Sequence, residues 1–385
     1  MKKTFNFFLA IITATAMVCS CDPSQNDPET PPVENPDDNT GGENEGDQGG
    51  ENQATDLSAT ATANCYIVPA AGTYKIKTVK GNSTDSVGEV ASAELLWSYS
   101  TFGGFDTVVQ SSTVSYADGY VTFTTTGSDG NALITAKDAS GNILWSWHIW
   151  AIAEVPEIQL GGATVQKYPL GYSPWPANDA YSWGLLYQWG RKDPFGIKFA
   201  VPESPSGIFN TAVNIADAGV IGEDGTALAY TTAHPNHFIT CNETTCDWYA
   251  AEAAKQNNGL WAETKTIHDP CPAGYVVAPT SLFQGIDTEQ LVANIYPNQA
   301  GTVEDPVRRA ITCEGNDFFY SGYVQYKDTW SVWTYSGAWV WSRDTPAEGA
   351  FANSCFIIID ENGINLNPAK GWYRGTAMPV RCAKQ

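Results

Sequence analysis

The side chains best suited to chemistry in this 385-residue chain are four His and nine Cys. The densest group is His234-x-x-His237-x-x-x-Cys241-x-x-x-x-Cys246, four nitrogen and sulfur ligands within 13 residues. A tetrahedral zinc ion could use such a set. The spacing is unlike the usual Cys-x-x-Cys knuckle, and in an oxidising compartment two nearby cysteines pair with each other instead. A local Cys241–Cys246 bridge is therefore expected, and no metal site is assigned. His268 stands three residues before Cys271, which would suit a Cys–His nucleophile pair; a bridged Cys271 cannot act as one. Paired carboxylates at a recognisable spacing, a Ser–His–Asp pattern and a phosphate-binding Gly loop are missing. The expectation is a non-catalytic protein without a cofactor.

Charge and compartment narrow the partners. The chain carries 20 Lys+Arg against 42 Asp+Glu, a net charge of -22. A basic footprint for phosphate is absent, so nucleic acid is not an expected partner. Residues 22–56 hold 11 acids and no base. That stretch is rich in Pro, Gly and Asn and nearly free of apolar residues. It cannot recover its ordering entropy by burial, so residues 22–57 are expected to be a solvated acidic tether. Ahead of it, Lys2 and Lys3 precede an apolar stretch from Phe5 to Val18, the pattern of an export signal over residues 1–21. The apolar stretch is too short to span a bilayer. Its ending, Val18-Cys19-Ser20-Cys21, resembles the lipobox of bacterial lipoproteins, which implies lipidation at Cys21 and membrane contact through that anchor alone. Acids directly after the lipidated Cys resemble the surface-export signals of Bacteroidetes lipoproteins, which implies an outer-membrane lipoprotein exposed at the cell surface.

The elements that must position the remaining residues fall into two parts, and the expected class is mainly β and α+β. Residues 58–154 read as short strands at Asn64–Val68, Thr73–Val79, Glu94–Tyr99, Val108–Tyr116, Tyr120–Thr125, Ala132–Asp138 and Ile143–Trp150. Asp118-Gly119 suits a tight hairpin turn, since both residues tolerate positive φ. Seven strands without a helical pattern suggest an immunoglobulin-like β-sandwich. The last strand sets Trp145, Trp147 and Ile149 on one face and Leu144, His148 and Trp150 on the other. Bulk on both faces means both are covered, so this strand is expected to abut the next domain, with His148 satisfied inside the core. Cys65 reads as a buried thiol. Residues 155–385 add helical signals at Asp247–Gln256, Thr280–Gln284 and Asp287–Tyr296 among long Gly-, Pro- and Asn-rich loops, an α+β pattern. Arg191, Lys192 and Asp193 read as structural ion pairing.

Three runs carry a resemblance: LYQWGRKDPF (186–195), KTIHDPCPAGYVVAP (265–279) and GTAMPVRC (375–382). They resemble a Bacteroidetes surface lipoprotein family with a Fibrobacter succinogenes major paralogous domain, a relative of the C-type lectin fold. ANCYIVPAAGTYKI (63–76) and the LWSWHIW strand look like the sandwich module that precedes it in proteins of the fimbrial-tip type. The resemblance implies a C-type-lectin-like domain over 155–385 and an adhesin or ligand-binding protein, with glycan, host surface protein or fimbrial subunits as partners. It also implies a long-range Cys271–Cys382 bridge. The acidic-Pro-Asn loop and Trp-Asn-Asp strand of calcium-dependent sugar sites do not occur, and Tyr296-Pro297-Asn298 lacks the acid, so calcium-mediated sugar binding is not implied. Two alternatives stay open: a structural pilus or envelope subunit with no small ligand, and a formylglycine-generating type of enzyme with Cys355 and Cys382 as its reactive pair.

In lectin-like folds the binding face is built by long loops before the last strands, here residues 317–343. Flat aromatic rings stack on sugar faces or apolar peptide, and nearby charges fix orientation. Trp339 and Trp341 flank Val340 on an expected strand and read as core. Trp330, Trp333 and Tyr335 fall where Asp, Thr, Ser and Gly interrupt the pattern. The expected contact patch is Tyr326, Asp328, Trp330, Trp333 and Tyr335, with Arg343 at its edge.

Overall fold

The computed structural model describes residues 53–100, 107–173, 184–195, 212–214, 226–241, 245–250, 252–300, 307–319, 323–326, 332–333, 337–346, 351–360 and 362–385. For strand residues 99–100, 212–214, 294–300, 307–310, 317, 319, 332–333 and 360 it describes the backbone alone. Residues 51–385 form one compact, mainly β unit.

Its first part is a pair of facing sheets built from β1 (Thr55–Asp56), β2 (Cys65–Val68), β3 (Gly72–Lys77), β4 (Ser92–Ser100), β5 (Ser115–Ala117), β6 (Tyr120–Thr125), β7 (Gly130–Lys137) and β8 (Ile143–Ala151). The strand orders are β1-β3-β6-β5 and β2-β8-β7-β4. Period-two burial drives the packing: Tyr74, Ile76, Val121 and Phe123 of one sheet meet Ile134, Ala136, Trp145, Trp147 and Ile149 of the other in a single apolar cluster. Between β5 and β6 the turn residues Asp118 and Gly119 take φ of 51° and 79°, the left-handed pair such a hairpin needs.

Two boundaries differ from expectation. Thr55–Asp56, placed in the tether by its composition, runs parallel to Tyr74–Lys75. Asp56 Oδ1 accepts from Ser58 N–H at 2.9 Å and Ser58 Oγ at 2.7 Å, a local turn that holds this edge strand on the sheet. Val108–Tyr116 is not one strand. A 3-10 turn at Ser111–Thr113 interrupts it, because Thr113 Oγ1 donates to Gln110 O at 2.6 Å and accepts Thr124 N–H at 2.9 Å in place of the ladder.

The second part is also built mainly from strands. One sheet orders Tyr275–Val277, Cys382–Lys384, Ala163–Gln166 and Glu157–Leu160; another orders Leu186–Gln188, Ala377–Pro379, Tyr323–Val324 and Val332–Trp333. Two three-stranded sheets follow, one of Val292–Ala300, Val307–Cys313 and Asn316–Phe319, the other of Ala338–Trp341, Phe351–Asp360 and Gly363–Tyr373. The chain's last two strands thus lie inside sheets whose partners are 100 residues or more earlier for Tyr275–Val277 and Leu186–Gln188.

Of the three expected helices, Thr280–Gln284 is present. In the expected helix Asp247–Gln256, the described residues 247–250 and 252–256 form no α-helix, only a 3-10 turn at Ala253–Lys255. Trp248, Tyr249 and Ala250 are buried in succession, which one helical face cannot do, and Asp247 Oδ1 takes Tyr249 N–H at 2.9 Å in a local turn. Asp287–Tyr296 becomes a short 3-10 turn and then a strand from Val292, where pairing with Val307–Cys313 overrides local propensity. A helix not expected, Thr226–Ala233, is present.

The expected boundary near residue 154 is not a gap in the core. Cys65, Trp97, Leu133 and Trp150 of the sandwich join the cluster of Tyr187, Trp189, Trp248, Trp261, Trp339 and Trp341. The outer face of β8 is buried against the second part, while Trp145, Trp147 and Ile149 fill the sandwich.

Candidate functional site

The motif residues form joints rather than a surface. Lys192 Nζ stands 2.7 Å from Asp193 Oδ1 with both side chains buried. It also donates to Ser146 O at 3.2 Å and Ser146 Oγ at 2.6 Å, and that hydroxyl donates to Asp193 Oδ1 at 2.6 Å. Arg191 donates to Gln188 Oε1 at 3.1 Å, His237 O at 2.7 Å and Pro235 O at 3.1 Å. Burial pulls its guanidinium down to about 10 against the favourable pull of Asp193 and Tyr230. Each charge is thus spent on internal partners.

The HDPCPAGY stretch is the second joint. Asp269 accepts N–H groups of Cys271 at 2.9 Å and Val277 at 3.0 Å, and Lys265 Nζ at 2.7 Å. Asn64 Nδ2 reaches across from the sandwich to Ile267 O at 2.8 Å and Asp269 O at 2.9 Å, while Asn82 Nδ2 reaches Thr266 O at 2.7 Å and Asp269 O at 3.0 Å. Cys271 is bonded to Cys382. His268 is pushed down to about 4, chiefly by burial and then by Lys192 and Lys80, so at neutral pH it is an uncharged ring. With Cys271 and Cys382 bonded together, neither a Cys271–His268 nucleophile pair nor a reactive Cys355–Cys382 pair is assembled.

The expected Cys241–Cys246 bridge is not formed; both are buried thiols. Gly375 is packed tightly beside both: a Cβ there would lie 2.4 Å from Cys241 Sγ and 2.8 Å from Cys246 O. Gly375 N–H donates to Cys246 O at 2.8 Å, and Cys246 itself is held at φ 50°. Cys241 N–H instead donates to Tyr326 O at 3.0 Å. Among the described residues no three His, Cys, Asp or Glu side chains converge as metal ligands, so His234, His237, Cys241 and Cys246 do not build the zinc set their spacing allows.

Of the expected contact patch, Tyr326 and Arg343 are described with side chains. Both are half-buried, and they belong to different neighbourhoods. Arg343 N–H donates to Ala278 O at 3.0 Å and its Nε stands 3.8 Å from Asp344 Oδ1. Tyr326 packs on Tyr373 with centroids 4.8 Å apart. Its hydroxyl is pushed up by burial and by its hydrogen bond to Cys246. Trp333 lies on the short strand paired with Tyr323–Val324, described by its backbone. Asp328, Trp330 and Tyr335 lie outside the described residues, as do Cys21 and the rest of the expected export signal over residues 1–21.

What Tyr326 joins is an aromatic run on the Phe351–Asp360 and Gly363–Tyr373 hairpin. Phe351 meets Tyr373 at 5.0 Å, Trp372 meets Trp339 at 4.9 Å and Tyr323 at 5.5 Å, and Trp339 stacks on Phe356 at 4.0 Å. Trp339 and Tyr323 are buried; Tyr326, Phe351, Phe356, Trp372 and Tyr373 are half-buried. The last four were not expected. The adjacent pair Trp372-Tyr373 between Gly371 and Arg374 was the available signal, two large rings in succession whose centroids lie 6.2 Å apart.

Behind this run, Asp247 is buried beside Arg374, with Oδ2 3.9 Å from Nη1. Burial pushes the Asp247 carboxyl up to about 6, more than Arg374 and its hydrogen bonds pull it down. Arg374 also donates to Asn258 Oδ1 at 2.5 Å and lies over the Trp189 ring at 4.7 Å. No family model, curated protein or solved structure matches the chain.

Proposed function

We propose that the chain is a non-catalytic, lipid-anchored surface protein that binds a glycan or a protein partner, of the adhesin or fimbrial-tip type. In this reading the two facing sheets are an immunoglobulin-like module and the remainder is C-type-lectin-like, closed on itself by the long-range Cys271–Cys382 bond. The observation that carries it is the half-buried aromatic run Tyr326, Tyr373, Phe351, Trp372 and Phe356. Rings arrayed on a rigid hairpin lose little entropy on binding and suit sugar faces or apolar peptide. The charged groups Arg191, Lys192, Asp193, Lys265 and Asp269 of the chain's motifs, by contrast, are engaged by internal hydrogen bonds.

The test is a soluble fragment of residues 53–385 on arrays of glycans and host matrix proteins, with and without calcium. Specific binding that falls at least about tenfold in Tyr373→Ala and Tyr326→Ala, with far-ultraviolet dichroism unchanged, supports the reading; such a loss matches about 1.4 kcal/mol of contact energy. Silence of the folded fragment across the arrays would move the weight to a structural envelope subunit.

A further inference from the structure

The His234-x-x-His237 spacing has a geometry of its own. His234 N–H donates to Tyr230 O at 2.8 Å, closing the end of helix Thr226–Ala233, and His237 N–H donates to His234 O at 3.0 Å. The two imidazoles stack face to face, centroids 4.7 Å apart and planes 10° from parallel. Tyr230 packs on both, at 4.5 Å from the His234 ring and 5.9 Å from the His237 ring, and its hydroxyl bonds His237 Nδ1 at 2.9 Å. The same turn offers Pro235 O and His237 O to the Arg191 guanidinium. A fixed positive charge thus sits against a pair of rings that are themselves able to take protons.

We propose that the stacked His234–His237 pair is a pH-sensitive latch: neutral, it closes the turn after helix Thr226–Ala233 onto Arg191; protonated in acid, it releases the 226–241 segment. Two imidazolium rings at this spacing repel each other and Arg191, and in the tautomer whose Nδ1 accepts from the Tyr230 hydroxyl, protonation of His237 also removes that acceptor. His234 is exposed, so protons reach it. Burial holds both rings below the ordinary imidazole range, and His234 and Arg191 lower His237 further. A folded value below the unfolded one means the segment keeps its stability above the ordinary imidazole range and loses it as pH falls through that range.

The other ionisable groups around the pair, among the described residues, leave that sign intact. Tyr230 is uncharged at these pH values. Lys192 and Asp193, next to Arg191, are paired with each other. His148, on the strand packed against the helix, is held neutral by burial, at about 3. Cys241 at the segment's end is kept a thiol by burial. The latch does not depend on the aromatic run binding anything.

The test is amide hydrogen exchange of the 53–385 fragment at pH 7.5 and 5.0, normalised to the intrinsic chemical rate. Protection across residues 226–241 should fall by at least about threefold relative to β6, and should stay level in the double variant His234→Gln, His237→Gln. Level protection in the parent protein, or an equal fall in the double variant, would overturn the latch. If the double variant does not fold, histidine proton titration of the parent decides. Two mutually shifted curves with midpoints below about 6.5 sustain the proposal, and midpoints at or above that value overturn it.

Discussion

Lys192 Nζ and Asp193 Oδ1 stand 2.7 Å apart with about 4% of each side chain exposed, locked to Ser146 of β8. The pair therefore pins the second part of the chain to the sandwich. Removing one partner strands the other charge in the core. Asp193→Ala should cost about 3–5 kcal/mol, whereas Lys192→Met with Asp193→Leu should cost much less, because no buried charge remains. Urea unfolding of the three proteins checks this. A double variant as unstable as the single one would show that the pair contributes packing and hydrogen bonds beyond its charge balance.

The Cys271–Cys382 bond closes a loop with a sequence separation of 111 and ties the strands Tyr275–Val277 and Cys382–Lys384, which also pair through hydrogen bonds. Losing it in Cys271→Ser with Cys382→Ser should cost about 2–5 kcal/mol, mostly by freeing the unfolded chain. The expected readout is a lower unfolding midpoint that matches that of the parent measured in reductant. A variant with the parent's non-reduced midpoint would mean that the two strands hold without the bond.

The sandwich was readable because its signal is local. Period-two burial places Tyr74, Ile76, Val121 and Phe123 without knowledge of any partner, and Asp118-Gly119 marks its turn. The two-faced bulk of Ile143–Ala151 likewise announced a neighbour, now seen as the shared core with Trp189 and Trp248. Elsewhere, local signals misled wherever long-range partners decide. Asp247–Gln256 has a helical composition, yet Trp248 Nε1 is claimed by Trp189 O at 2.6 Å and Asp247 is buried beside Arg374. The aromatic run is assembled from segments up to 50 residues apart, with Tyr323 and Tyr326 meeting Trp372 and Tyr373. Spacing along the chain does not encode that meeting.

Asp247 gives the protein an unusual pH term. Its folded value of about 6 lies above the unfolded 3.8, so the folded state binds the proton more tightly. The sign follows: Asp247 lowers stability when ionised above about pH 6, and this penalty disappears as pH falls toward 4. The difference in unfolding free energy between the parent and Asp247→Asn should therefore change by on the order of 3 kcal/mol between pH 7 and pH 4, in favour of the parent at low pH. The subtraction removes the opposite contributions of His148 and His268, whose folded values of about 3 and about 4 lose stability on acidification. A flat difference would place an ordinary carboxylate at Asp247.

Gly375 offers the sharpest test of the thiol pair's geometry. An added methyl would meet Cys241 Sγ at 2.4 Å, Cys246 O at 2.8 Å and Tyr326 Cβ at 3.0 Å, and the second contact is backbone that cannot swing aside. Gly375→Ala must therefore push apart the Cys241 and Tyr326 segments, with a cost of about 1–3 kcal/mol for overpacking. The displacement breaks the Cys241 N–H to Tyr326 O bond and opens both buried sulfurs to solvent. Faster labelling of Cys241 and Cys246 by a thiol reagent, with Cys65 and Cys355 still slow, is the expected pattern. Uniformly faster labelling would mean global loosening, whereas unchanged labelling and stability would mean that the space beside Gly375 is wider than these distances allow.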